Sequence, residues 1–259
     1  MKKQMVCLAL ATAVLSTALA SCSVGGGADT TEATQQSVMS YSEKASFYDA
    51  LVAGDSDPIP LTTALNNAVS IEGDSNLLEE DVYERIIEIA NQTFPMMGDR
   101  YGYNHMPHVT IILDASAASY TACSAVGNTV LLNTDWFNNH PAECDILIEG
   151  FASIFLNYGQ ADKAPGWLID SMKAYMRDEY ALYRSESSFS LPRRYNGKSY
   201  EKSRETGAAF LKWIKETQKV DIMISLIRQF RTTMGYQEEV WLTATGKTLD
   251  QLWLEYKNA

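Results

Sequence analysis

The chain has few of the residues that most metal and redox sites need. Its 259 residues include only three histidines, His105, His108 and His140, and only four cysteines. No histidine begins an H-E-x-x-H pattern, the helical motif of many zinc enzymes. No serine lies in a G-x-S-x-G turn, the motif of α/β-hydrolases. The best-known short motifs of metal-dependent and serine-dependent hydrolysis are therefore missing.

An excess of positive charge is also missing. The chain has 32 acidic and 21 basic side chains, for a net charge of −11 at pH 7, and the sequence has no basic cluster. Nucleic acid carries charge of the same sign, so we expect no nucleic-acid partner. Hydrophobic residues make up 46% of the chain, which is enough for a folded domain with a substantial core.

The N-terminal apolar run is too short to span a bilayer and is typical of a signal peptide. Lys2 and Lys3 precede an apolar stretch from Met5 to Leu19. The stretch ends in L-A-S-C at 19–22, which resembles the cleavage box of bacterial lipoproteins. This resemblance implies cleavage before Cys22 and a lipid on its thiol; the alternative is an ordinary secretory signal. We therefore expect a protein of the bacterial cell envelope, held through Cys22 to a membrane, the outer membrane by preference.

Composition after the signal peptide divides the rest of the chain into two parts. From Ser23 to about Ser42 the residues are mostly Gly, Ser, Thr, Ala and Gln, as in flexible linkers. The predicted organisation is thus a signal peptide at 1–21, a flexible tether at 22–43 and a single domain at 44–259.

Two cysteines, Cys123 and Cys144, fall in the predicted domain. An exported protein can form disulfides, and a bond between these two would contribute on the order of 3 kcal/mol of stability. The alternative is two separately buried thiols. The sequence leaves both open.

Hydrophobic periodicity predicts a few strands followed by many helices. The predicted strands are His108 to Asp114 and Thr129 to Asn133. The predicted helices are Leu77 to Thr93, Ala142 to Tyr158, Pro165 to Tyr183, 203–216, 220–233, 237–244 and one that begins at Thr248. This order indicates an α+β fold in one domain.

Three segments carry a family resemblance. They are Ala164 to Asp170 (APGWLID) with Ala174-Tyr175 after it, Thr206 to Leu211 (TGAAFL), and Gly246 to Tyr256 (GKTLDQLWLEY). Together they resemble the basic secretory protein family of presumed metallopeptidases, over roughly residues 78–259. The resemblance implies a zincin-like fold, with a small, mainly N-terminal sheet followed by a mostly helical half.

The resemblance fails at the residues that would bind zinc. Zincins carry H-E-x-x-H on one helix, because residues i and i+4 share a helix face and their imidazoles converge on one ion. The matching stretch here is 148–152 (IEGFA). The resemblance places Glu149 at the general-base position, and Ile148 and Ala152 at the two histidine positions. Neither aliphatic side chain has a lone pair to offer a metal.

The next helices match the family only in part. The resemblance implies that Asp170 matches an acidic position and that Tyr175 is kept, whereas Ala174 replaces a second acidic residue. It also implies that Arg204 stands where the family has a tyrosine, and that Trp167 lies at the wall of the cleft. A catalytic zinc normally has three protein ligands, and at most one remains here. We therefore expect no metal and no other cofactor.

Several site residues remain open to two interpretations. Glu149 is either a vestigial base in a retained cleft or a helix carboxylate that meets solvent or a nearby arginine. Asp170 either faces the same cleft or pairs along its own helix. His105 and His108 form H-x-x-H, but Pro107 between them disfavours a helical metal site, and His140 resembles a loop residue.

Three functional hypotheses follow. The first is a catalytically inactive peptidase-like scaffold that binds a peptide or a glycan, with Ile148, Ala152, Trp167 and Arg204 as cleft candidates. The second is a hydrolase whose site was rebuilt from Glu149 and Asp170. The third is a purely structural envelope protein in which the cleft has no role.

Overall fold

The computed structural model describes residues 63–64, 68–101, 108–115, 122–157, 163–232 and 235–259. All of them belong to one structural unit, Pro60–Ala259. The predicted signal peptide, Cys22, the tether and His105 lie outside the described residues. Within the described ranges, no helix has both the length and the apolar character needed to cross a membrane.

The strands form one mixed sheet. They are β1 (Thr63–Ala64), β2 (Val69–Glu72), β3 (Val109–Asp114), β4 (Cys123–Val126) and β5 (Thr129–Asn133), in the order β1-β2-β3-β5-β4. The central pairs β2–β3 and β3–β5 are parallel, whereas β1 and β4 join antiparallel at the two edges. A parallel core of this kind is covered by helices.

Helices make up most of the described chain beyond the sheet. They are α1 (Glu80–Tyr101), α2 (Thr134–Asn139), α3 (Leu147–Asn157), α4 (Gly166–Tyr180), α5 (Arg204–Gln218), α6 (Ile222–Phe230), α7 (Glu239–Thr245) and α8 (Leu249–Lys257), with 3₁₀ turns at Ser75–Leu77 and Pro141–Ile146. The predicted α+β class, with a small sheet followed by a mostly helical half, is confirmed.

Side-chain caps fix where several of these helices begin. Asn133, Ser203 and Asp221 each accept a hydrogen bond from a backbone N–H in the first turn of the helix that follows. Thr248 forms a full capping box with Gln251. Such caps satisfy N–H groups that have no partner inside the helix.

Several predicted helix boundaries were wrong. The helix predicted from Leu77 to Thr93 begins at Glu80 and ends at Tyr101. The predicted helix 142–158 is a 3₁₀ turn followed by α3, because the backbone of Glu143 is not helical. The helix predicted to reach Tyr183 ends at Tyr180. The Asp145 carboxylate accepts the N–H groups of Leu182 and Tyr183, which gives them partners outside a helix.

Helix α3 runs through the core. Phe151 and Phe155 pack against Phe94 of α1, with ring centroids 5.1 and 5.3 Å apart. Almost every side chain of the helix from Leu147 to Leu156 is buried. Its residues therefore meet protein on all sides, and a charge on α3 needs a partner there.

Helices α4 and α5 approach each other very closely. A Cβ atom at Gly207 would lie 1.9 Å from the Oγ atom of Ser171 and 2.9 Å from its Cβ atom. Only glycine fits at this position. The contact brings the first turn of α5, which carries Arg204, against the α4 residues that follow Trp167.

Candidate functional site

Glu149 is a buried carboxylate held by two arginines. It lies in the first turn of α3 and is only 9% exposed. Arg204 donates from Nη1 to its Oε2 at 2.7 Å and from Nη2 to its Oε1 at 2.9 Å. Arg177 of α4 donates to Oε1 at 3.4 Å. Both carboxylate oxygens are therefore engaged by guanidinium groups, the strongest class of hydrogen bond in proteins.

A second carboxylate and a loop complete this cluster. Glu143 accepts hydrogen bonds from Arg177 and from the hydroxyl groups of Ser187 and Ser188, the last two at 2.7 Å. The Phe189 ring covers Arg177, with its centroid 4.2 Å from the guanidinium carbon. The loop after α4 thus covers the site with an aromatic ring that stacks on the cation.

The electrostatics of Glu143 follow from these contacts. Burial alone would raise the pKa of its carboxyl. The hydrogen bonds from Ser188 and Ser187 and the charge of Arg177 more than offset this and lower the pKa to about 2. Glu143 is accordingly a carboxylate at any ordinary pH.

Ile148 and Ala152 lie in the core of the described chain. Both are 0% exposed and belong to the central apolar cluster. Neither is among the residues that line the two cavities described below. Apolar packing of this kind is how proteins fill a buried volume that has no polar partner.

The residues present do not fit the zinc ion that the resemblance implies. Ile148 and Ala152 have no donor atom, and three hydrogen bonds from Arg204 and Arg177 already occupy most of the roughly four lone-pair positions of Glu149. A cation placed beside Glu149 would also meet the positive charge of both arginines. No group of three metal-ligating side chains occurs in the parts of the chain that the structure describes.

The larger of the two cavities, of about 360 Å³, opens on the outer side of Arg204. Trp167 and Asp170 of α4 form part of its wall. The rest of the lining is Lys198, Tyr200, Glu201, Lys202, Ser203, Arg204 and Glu205. Arg204 therefore lines the cavity and binds Glu149 of the core at the same time. The smaller cavity, of about 10 Å³, lies at Arg177 and Phe189 and has room for about one water molecule at most.

Four charged side chains of the cavity lining have no ion-pair partner among the residues that the structure describes. They are Asp170, Lys198, Glu201 and Lys202, all of them exposed. No hydrogen bond or ion pair joins their charged groups to each other or to any other residue in the described ranges. Glu205 differs, because it accepts hydrogen bonds from Ser203 and Arg204. Burial would raise its pKa, but these bonds and that of its own N–H group hold it below the usual value.

The aromatic part of the lining belongs to a larger cluster. Trp167 packs on Tyr200 with ring centroids 4.3 Å apart. Tyr200 in turn contacts Trp253 of α8 at 4.9 Å. The rings therefore have fixed positions, supported from behind by the last helix.

Tyr175 does not join the cavity. Its hydroxyl donates to Glu179 at 3.4 Å and accepts from Lys215 at 3.3 Å. Burial raises the pKa of this phenol, and the Glu179 carboxylate raises it further. Arg100 and Asp221 extend the same ionic cluster, which ties α4 to α1 and α6 and is structural.

The described histidines do not approach Glu149 or Asp170 in any contact that the structure gives. Nε2 of His108 lies 3.0 Å from the Ser70 hydroxyl. His140 stacks on Trp136, with centroids 4.3 Å apart, and its Nδ1 lies 2.8 Å from the Trp136 carbonyl oxygen. His140 thus ends α2 instead of serving a site.

Both cysteines of the domain are free thiols. Cys144 donates to the Pro141 carbonyl oxygen at 3.2 Å, and Cys123 to that of Ile146 at 3.7 Å. Burial raises the pKa of both thiols to about 12. Of the two alternatives that the sequence left open, the structure has the separate thiols.

Sequence reasoning missed most of the residues around Glu149 and the cavity. Glu143 comes from the 3₁₀ turn before α3 and Phe189 from a loop, and no periodicity specifies either path. Lys198, Glu201 and Lys202 come from the loop and turn before α5. One usable signal existed. Arg177 directly follows Ala174, Tyr175 and Met176 on α4, and an arginine on a buried face needs a carboxylate partner.

Comparison with known proteins gives one match. The model of a family described as "Peptidase of plants and bacteria" (BSP) matches residues 69–256, well over half of the chain. No curated protein matches the chain. No solved structure matches it either.

Proposed function

Because the chain belongs to the basic secretory protein family, peptidases of plants and bacteria, we propose that it keeps a peptidase-like scaffold without the catalytic activity. The scaffold acts as a binding module, and the cavity at Arg204 is its ligand site. Membership of a family supports the scaffold, whereas activity depends on the residues of the site.

One observation carries the proposal, the double hydrogen bond from Arg204 to Glu149. A general base must have a free lone pair directed at the proton that it removes. In Glu149 three hydrogen bonds from Arg204 and Arg177 occupy most of the roughly four lone-pair positions, and the group is 9% exposed. For water to reach this carboxylate, a hydrogen bond from Arg204 to a nearly buried group would have to break.

The lipid anchor is the second part of the proposal. It is supported by the L-A-S-C sequence at 19–22, which follows a signal-peptide core. In a bacterial host, the wild-type chain should partition with the membrane fraction and incorporate a labelled fatty acid. Cys22→Ser should abolish the labelling. A labelled Cys22→Ser chain would refute the anchor at this residue.

Metal content and proteolysis test the loss of activity. We expect the purified protein to contain no stoichiometric zinc by elemental analysis and to cleave no member of a diverse peptide library. Glu149→Gln should behave in the same way. One zinc per chain, or cleavage by the wild type that Glu149→Gln abolishes, would overturn the proposal.

A rebuilt hydrolase site is the second candidate. The observation in its favour is Asp170, an exposed carboxylate that lines the cavity and forms no ion pair within the described ranges. Glu149, its proposed partner, is not among the lining residues of that cavity. The candidate predicts turnover that is lost in both Asp170→Asn and Glu149→Gln; the same turnover in either variant would exclude it.

A further inference from the structure

The cavity at Arg204 has an unusual balance of charge for a ligand site. Two carboxylates, those of Asp170 and Glu201, and two ammonium groups, those of Lys198 and Lys202, line it. None of the four forms a hydrogen bond or an ion pair with any residue that the structure describes, although Lys198 and Lys202 are close to Glu201 in sequence. Four charges therefore remain available in one cavity, two of each sign.

A ligand with charge of only one sign suits this lining poorly. An anion would be attracted by the lysines and repelled by the carboxylates, and a cation would meet the reverse. A neutral ligand would leave all four charges without a partner. A ligand that carries both an ammonium and a carboxylate group can pair with both sets at once.

The volume of the cavity and its aromatic side chains further restrict the kinds of ligand that fit. About 360 Å³ is near the lower end of the range for small-molecule sites. The walls also include Trp167 and Tyr200, whose ring centroids are 4.3 Å apart. These rings offer an apolar surface to a side chain of the ligand. The matching ligand is short, has an apolar middle and is charged at both ends.

We propose that the cavity binds a small zwitterion, namely a short peptide with a free amino group and a free carboxyl group. The proposal rests on the proposed function, since it names the ligand class of the same cavity. Asp170 and Glu201 bind the ligand's ammonium group, Lys198 and Lys202 bind its carboxylate, and Trp167 packs against its side chain.

Calorimetric titration of the full-length chain with four forms of one dipeptide, alanyl-phenylalanine, tests this. The forms are the free dipeptide, its N-acetyl derivative, its C-terminal amide and the doubly blocked compound. We expect the free form to bind, each single block to weaken binding at least tenfold, and the doubly blocked form not to bind.

Paired variants assign each set of charges. Asp170→Asn/Glu201→Gln should lower the affinity for the free dipeptide at least tenfold but leave the affinity for the N-acetyl form unchanged. Lys198→Gln/Lys202→Gln should lower the affinity for the free dipeptide by a similar factor and leave the affinity for the C-terminal amide unchanged. Asp99→Asn/Glu216→Gln and Lys219→Gln/Lys257→Gln remove the same charges outside the cavity lining and should change nothing.

The outcomes separate this inference from the proposed function. Two outcomes would contradict the zwitterionic ligand but not the role as a binding module. In one, the doubly blocked dipeptide binds as tightly as the free one. In the other, a neutral disaccharide binds and the dipeptide does not. If no form binds, the zwitterion is also wrong. The proposed loss of activity is overturned independently, by zinc content or by proteolysis.

Discussion

Arg204 and Glu149 form a two-point ion pair that joins the first turn of α5 to the first turn of α3, with N–O distances of 2.7 and 2.9 Å. The carboxylate is nearly buried, whereas the arginine side chain is 36% exposed and lines the cavity. The two partners therefore differ in what their loss should cost.

We expect removal of the carboxylate to destabilise the protein strongly. Glu149→Ala leaves Arg177, a buried cation, with Glu143 alone, and leaves Arg204 without its main partner. Loss of one member of a buried ion pair costs about 3–5 kcal/mol. Urea unfolding should show a loss near the lower end of that range.

Arg204→Ala is the matched variant and should cost less, about 1 kcal/mol, because its side chain is partly exposed and solvent screens it. Glu149 would still have Arg177. Equal losses from Glu149→Ala and Arg204→Ala would contradict the described roles of the two residues.

Glu143 should make stability depend on acid pH. Its pKa is lowered to about 2 in the folded protein, from about 4.5. The contribution is therefore complete above the unfolded value and is lost as the pH falls toward 2. A difference of this size corresponds to about 3 kcal/mol at most.

Glu143→Gln should accordingly lower the free energy of unfolding at pH 7 and flatten its decline between pH 5 and pH 2. Urea denaturation at several pH values measures both. A wild type and a variant with parallel pH profiles would show that Glu143 is not the titrating group.

The contact between α4 and α5 should tolerate no side chain at position 207. Gly207→Ala would place a methyl group 1.9 Å from the Ser171 oxygen, and overpacking of this kind costs about 1–3 kcal/mol. The helix propensity of alanine returns up to about 1 kcal/mol. Thermal unfolding should therefore show a net loss.

Ser171→Gly in the same chain should restore part of that loss, because it removes the atoms that clash. Gly166→Ala is the control, since a Cβ atom there meets nothing within 4 Å. It should leave stability unchanged or raise it slightly. A loss at position 166 as large as at 207 would argue against close packing as the cause.

The thiols of Cys123 and Cys144 should be unreactive in the folded protein. Burial raises the pKa of both to about 12, so little thiolate is present at pH 8. With Cys7 and Cys22 changed to Ser, an aromatic disulfide reagent should label neither thiol quickly until urea is added, and then label two. No labelling in urea would indicate a disulfide.

Histidines restored at positions 148 and 152 should not rebuild a zinc site. Both positions are 0% exposed, and placing imidazoles there costs on the order of 3 kcal/mol. Ile148→His/Ala152→His should be less stable in urea, with the same midpoint in zinc as in a chelator. A free energy of unfolding that zinc raises by several kcal/mol would show that the two side chains converge on an ion beside Glu149.

Periodicity predicted strands β3 and β5 and most of the helices, but it missed β1, β2, β4 and α2 and misplaced several helix ends. Strands β3 and β5 and the helices from α4 onward follow apolar patterns and cap residues such as Ser203 and Thr248, which act locally. The division of the predicted helix 142–158 into a 3₁₀ turn and α3 has no such local cause. It depends on Asp145, whose partners Leu182 and Tyr183 are 37 and 38 residues away in the chain, and no local pattern encodes that contact.

The site was less predictable for the same reason. The sequence offered an arginine as one alternative partner of Glu149, but it did not identify Arg204, which is 55 residues away. Tyr175, singled out by the resemblance, lies in a different ionic cluster. Family patterns indicate which helix faces lie together, whereas the choice of partner depends on tertiary packing.

Arg204 forms an ion pair with Glu149 of α3 and also lines the cavity. A ligand that contacts Arg204 in the cavity should therefore also stabilise α3. Binding and unfolding are then linked equilibria, so a saturating occupant should slow hydrogen exchange along α3 as well as at the cavity itself. Replacing Glu149 removes the ion pair with Arg204, so the slowed exchange should then be limited to the residues that line the cavity. Helix α3 would then respond to whether the cavity is occupied.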